Sequence, residues 1–149
     1  MESPSEALPF GKAEFETLSA FRHQLRRFQR WSEDLTRGMG VTNLQYLLML
    51  HVKGFPGRDW ATIGELAERL QARHHGVVAL VTRCADLGFV QRRPGRDDGR
   101  AVEVHLTPEG ERMVDRLARL HRDELLRLEG AFSVPGRARL GGAGSPSRD

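Results

Sequence analysis

The chain is poor in cysteine: Cys84 is the only one in 149 residues, which excludes an internal disulfide and suits a reducing compartment. Lysine is almost as scarce. Lys12 and Lys53 are the only two, so the positive charge is carried nearly entirely by arginine. No apolar run approaches the roughly 18 residues that a membrane-spanning helix needs. The opening "MESPSEALPFGKAEF" lacks the basic stub and apolar block of a secretory signal. These absences lead us to expect a cytoplasmic protein. A glycine-rich phosphate loop, a G-x-S-x-G elbow and an H-E-x-x-H helix are also missing, so neither an enzyme nor a cofactor is expected.

What is present fits one domain, or one domain with an extra arm. The formal net charge is +3. Arginine, unlike lysine, forks onto phosphates and base edges in a two-pronged way. Residues 13–37 place Leu18, Phe21, Leu25, Phe28 and Leu35 at helical spacings, with Arg22, Arg26, Arg27 and Arg30 on other faces. "RGMG" stops that helix. "TNLQYLLMLHV" opens a second, where Thr42 and Gln45 form a capping box, and the Pro56-Gly57 pair breaks it. Thr62 and Glu65 repeat the box ahead of "TIGELAERL". After the short link "QAR", Val77, Leu80, Val81, Cys84 and Leu87 trace the apolar stripe of a further helix that Gly88 ends. Two short helices so joined make a helix-turn-helix.

The period then changes. "FVQRRP" and "AVEVHLT" alternate apolar and polar residues in part, as strands do, around the charged tip "GRDDGR". Arg92, Arg93, Arg96 and Arg100 stand on or beside that tip; Arg92, Arg96 and Arg100 are the expected DNA contacts, and Asp98 is placed to orient Arg100. A helix-turn-helix followed by such a hairpin is a winged helix. An arginine held out on a hairpin suits a DNA minor groove. "TPEGERMVDRLARLHRDELLRLEGAF" restarts a helix with Thr107 as cap and Pro108 in the first turn. Its apolar side carries Val114, Leu117, His121, Leu125, Leu128 and Phe132. The Gly, Ser, Pro and Arg of 133–149 predict a disordered or loosely docked tail.

"RHHGVVALV" raises the question of metal. Neighbouring helical residues point about 100° apart, so His74 and His75 are poorly placed to close on one ion. They sit instead in the first turn of the helix that would enter a major groove, with Arg73 and Gly76; Ala79, Thr82 and Arg83 lie further along its outward side. Cys84 falls in the apolar stripe and reads as a small hydrophobe. His51 is either a half-buried core histidine or a ligand contact. Trp31 and Trp60, near helix junctions, are either filler or part of a ligand box. The terminal helices are too long for a small winged helix to cover, which points to a second copy across a two-fold axis.

This pattern resembles the MarR family of transcription regulators from about residue 12 to residue 130. "VTNLQYLLML" is similar to its second helix, and "HHGVVALVTRCADLGFVQRR" to its recognition helix and first wing strand. "DDGRAVEVHLTPEG" resembles its wing signature D-x-R-x-x-x-L-x-L-T-x-x-G, with Val104 for the first leucine. The resemblance implies a mainly α winged helix-turn-helix with a small β-hairpin, flanked by dimerisation helices. An arm (1–11), dimerisation helices (12–37 and 108–132), a DNA-binding lobe (42–106) and a tail (133–149) follow from it. It also implies a homodimeric regulator on a palindromic duplex operator, with Arg100 in the minor groove steadied by Asp98. A small aromatic effector would release DNA, and Trp31 and His51 are the candidate contacts. Two alternatives stay open: a winged helix that binds protein and no DNA, and a metal-sensing winged helix.

Overall fold

The computed structural model describes residues 10–96 and 100–141. The apolar spacing winds the long helix α1, Lys12–Gly38, and Gly40 takes the left-handed conformation (φ 83°) just beyond its end. Both capping boxes form. Thr42 starts α2, Asn43–Lys53: its hydroxyl accepts the Gln45 N–H at 3.1 Å, and Gln45 Oε1 accepts the Thr42 N–H at 2.9 Å. Thr62 and Glu65 do the same for α3, Ile63–Leu70, at 3.2 and 2.9 Å. Thr62 also ends a short strand, β1, Trp60–Thr62. Then come α4, His74–Asp86; β2, Val90–Pro94; β3, Val102–Leu106; α5, Pro108–Arg127; and the single turn α6, Arg137–Leu140.

The chain divides into two compact units. The larger, Ser32–Leu125, holds the helix-turn-helix and an antiparallel sheet of order β1-β3-β2. The sequence reading held only the hairpin β2-β3. β1 is three residues long and shows no alternation, so it becomes visible only through its partner, Ala61 opposite Val104. Val104 is fully buried, as are Leu48, Met49 and Val52 of α2, Leu66 of α3, Val81 and Cys84 of α4, and Leu117 of α5. Leu87, read as part of the α4 stripe, is 49% exposed because the helix has closed at Asp86.

His121 is one of the buried polar residues. Its Nδ1 lies 2.7 Å from the Leu117 carbonyl, and its ring stacks on Tyr46 at 4.5 Å. A carbonyl only accepts, so Nδ1 donates there. In the neutral ring Nε2 then accepts from the Ser32 hydroxyl at 2.7 Å, whose oxygen accepts the Asn43 amide N–H at 2.7 Å.

The smaller unit comprises residues before Ser32 and after Leu125. α5 closes at Arg127, not at Phe132, and a turn with Gly130 at φ 80° follows. The turn sets Phe132 parallel to Phe21 at 6.0 Å and near Phe28 at 6.3 Å. Of the tail, expected to be disordered or loosely docked, residues 137–140 form α6, which Gly141 ends in the left-handed conformation (φ 71°). Within α1 only Ser32 and Thr36 are buried; Phe15 and Leu18 stay exposed.

One junction fixes the wing to what surrounds it. The Thr107 N–H donates to the Phe89 carbonyl at 3.0 Å, its hydroxyl donates to the Gly88 carbonyl, and the Gly110 N–H donates to Thr107 Oγ1 at 3.1 Å. A Cβ on Gly110 would stand 2.0 Å from the Phe89 carbonyl oxygen, whereas one on Gly76 would meet nothing within 4 Å. Gly110→Ala is therefore expected to destabilise the fold by about 2–3 kcal/mol. Gly76→Ala should stabilise it by about 0.5 kcal/mol through helix propensity. Urea denaturation of both variants checks the opposite signs.

Candidate nucleic-acid interface

The buried stripe Val77, Leu80, Val81 and Cys84 sets the rotation of α4 about its axis. Arg73, His74, His75, Gly76, Ala79, Thr82 and Arg83 are consequently all exposed. Arg73 is the N-cap in an extended conformation (φ −74°, ψ 148°) and makes no side-chain bond to the first-turn amides. Those amides, at the positive end of the helix dipole, suit a phosphate. Cationic side chains and an open helix start thus share one end of α4.

On the wing, Arg92 reaches back to this helix. Its guanidinium donates to Thr82 Oγ1 and, at 3.3 Å, to the Val78 carbonyl, while the Thr82 hydroxyl donates to the same carbonyl at 3.1 Å. Both residues remain exposed, yet they brace the wing against α4. Arg93 and Arg100 are exposed as well. Gly95 lets the two strands close, since a Cβ there would stand 2.5 Å from the Ala101 carbonyl oxygen. Asp98 lies outside the described residues.

Arg96 turns to the other face of the sheet. Its Nε lies 3.7 Å from Oε1 of Glu103, a carboxylate only 3% exposed, and its guanidinium lies 5.3 Å from the Trp60 ring centroid. His105 Nε2 is 2.9 Å from the same Glu103 oxygen, and its ring stacks on Trp60 at 5.9 Å. Arg58 sits 3.9 Å over Trp60 and 4.3 Å from the Phe55 centroid, and pairs with Glu65. Burial alone would raise the Glu65 pKa; the Thr62 hydrogen bonds and the Arg58 charge overcome this and hold it below the usual value. Sequence reasoning missed Glu103, His105, Arg58 and Phe55 here. Their cue was the period-two spacing of Glu103 and His105, which puts both on one face of β3.

The two candidate effector contacts fall in different units. Trp31 belongs to the smaller one, half-buried, with its ring 6.1 Å from Phe28. His51 belongs to the larger one, and burial followed by the nearby Arg69 charge lowers its pKa. Among the described residues no group of three or more His, Cys, Asp or Glu could hold a metal ion.

Cys84 is fully buried, and burial pushes its thiol up to about 11. The thiolate is the nucleophile, so at neutral pH the side chain stays protonated and inaccessible. A thiol-reactive disulfide reagent at pH 8 should leave the native protein unmodified and titrate one thiol after urea is added. Rapid reaction of the folded protein would contradict this packing.

Comparison with known proteins gives this geometry a lineage. Residues 39–101 match the MarR family model. Among solved structures, the chain resembles AbsC, a MarR family transcriptional regulator from Streptomyces coelicolor, at 21% identity and TM-score 0.67, over 79% of this chain and 81% of that one. It resembles a MarR family protein from Bacillus stearothermophilus at 22% identity and TM-score 0.65, over 81% of each chain. MepR, a transcription regulator of the Staphylococcus aureus multidrug efflux pump MepA, matches at 18% identity and TM-score 0.64, over 76% and 82%. Among curated proteins none matches by sequence. At these identities the structural likeness is one of fold. Over residues 39–101 the chain is similar to the MarR family, and its fold is that of solved members of that family.

Proposed function

We propose that this protein is a homodimeric, sequence-specific DNA-binding regulator of transcription without catalytic activity, working in the cytoplasm. The observation that carries the proposal is the shared surface of α4 and the wing, joined by the Arg92 bond to Thr82. The exposed side chains of Arg73, His74, His75, Ala79 and Arg83 read a major groove, and Gly76 lets the helix approach it closely. Arg100 enters the neighbouring minor groove, and Asp98 is assigned the role of steadying it. Thr82 and Arg92 contribute by holding helix and wing in register.

Exposed apolar side chains support the dimer. Phe15, Leu18, Leu125, Leu126 and Val134 would face water in a lone chain. A second copy covers them and sets two α4 helices on the half-sites of a palindromic operator. The protein acts as a repressor that a small aromatic effector releases, with Trp31 and His51 as separate candidate contacts.

Fluorescence anisotropy with a duplex from the region upstream of the gene tests the assignment. Arg100→Ala should weaken binding by about 1–3 kcal/mol. For the unmodified protein, the logarithm of affinity should fall with the logarithm of salt at a slope of about −0.9 per neutralised phosphate. Equal affinity for the variant, or binding indifferent to salt, contradicts the proposal.

A further inference from the structure

Trp60 has no part in the interface just proposed, yet it is the hub of the outer sheet face. Three side chains from separate parts of the fold meet its ring. Arg58 comes from the loop after α2 at 3.9 Å, His105 from β3 at 5.9 Å and Arg96 from the end of β2 at 5.3 Å. Arg58 is itself anchored to α3 through Glu65, so the ring is held from the side of the helix-turn-helix. Glu103, almost wholly buried, holds both His105 and Arg96. The guanidinium of Arg96 therefore lies between the Trp60 ring and the Glu103 carboxylate, four residues before Arg100.

We propose that Trp60 is a positioning residue for the wing: by gripping Arg96 together with Glu103, it sets the pitch at which the tip meets DNA. The physical reason is the hairpin itself. Two strands alone are marginally stable and free to flex. Here β3 gains β1 as a second neighbour, and β2 gains two side-chain tethers, Arg92 to α4 on one face and Arg96 to Trp60 on the other. Tethers on opposite faces oppose rocking in both directions. A cation over an indole face is attracted by the ring even where the cation itself, like Arg96, stays largely exposed. Arg96 is thereby a strap and no phosphate contact. This inference rests on the proposed role of the wing in the minor groove.

The test is hydroxyl-radical footprinting, which reads the minor groove, beside dimethyl sulfate protection of guanine N7 in the major groove, on one bound duplex. The unmodified protein should protect both the half-sites and the flanking minor groove. Trp60→Leu should lose the flanking protection, keep the guanine pattern and bind about two- to fivefold more weakly. Trp60→Phe should restore most of the loss by retaining a ring face. Arg96→Ala should reproduce Trp60→Leu, and the double variant should bind no more weakly than either single one, because both cut the same strap. Unchanged flanking protection in Trp60→Leu overturns the inference. So do losses that add in the double variant, which would make Arg96 a separate contact to DNA. Absence of flanking protection by the unmodified protein removes the minor-groove role itself and the inference with it, so the two failures are told apart. Should circular dichroism find Trp60→Leu unfolded, Arg96→Ala against Trp60→Phe carries the comparison, since Arg96 is 68% exposed and leaves the core intact.

Discussion

The burial of one stripe on α4 is the constraint from which the candidate interface follows. Val77, Leu80, Val81 and Cys84 recur at three and four residues and sink into the core formed by α2, α3, β3 and α5. A helix has one rotation about its axis that buries such a stripe, so its opposite side is outward without further design. The same choice leaves the first-turn amides open at His74, His75 and Gly76. It also places Thr82 where a strand can reach it, and Arg92 does so. Rotating α4 by one residue would bury Arg83 in one sense and Thr82, the partner of Arg92, in the other.

The wing is held by contacts of different kinds. At its base, Thr107 and Gly110 lock the start of α5 onto the Gly88–Phe89 turn, a close backbone approach that tolerates no side chain on residue 110. Along its length, hydrogen bonds tie β3 to strands on both sides. Nearer its tip, side chains take over, with a buried carboxylate and an indole ring on the outer face. The result is a hairpin whose direction is fixed by the fold while Arg96 and Arg100 stay exposed.

Much of this was written locally in the chain. The two Thr-x-x-Glu/Gln boxes announced their helices because capping is a bond between residues three apart. The α4 stripe announced its rotation because burial follows the helical period. What escaped depends on partners distant in sequence. β1 is a strand only because Val104, some forty residues later, lies beside Ala61. The partners Arg92 and Arg96 find within the fold were hidden for the same reason, since they lie far away in sequence. The end of α5 was misjudged because apolar residues continued at helical spacing to Phe132. Gly130 instead turned the chain and returned that ring to Phe21 and Phe28. Leu87 continued the α4 spacing beyond the helix end in a similar way.

The central claim is that α4 and the wing engage a duplex together, as one surface. Amide chemical-shift mapping of the nitrogen-15-labelled protein during titration with a selected duplex tests this most directly. The account predicts that the largest shifts fall together in Arg73–Ala79 and Arg92–Ala101, at the same duplex concentration and in the same exchange regime. Shifts in α4 with a silent wing, or shifts confined to Trp31 and the smaller unit, would contradict it.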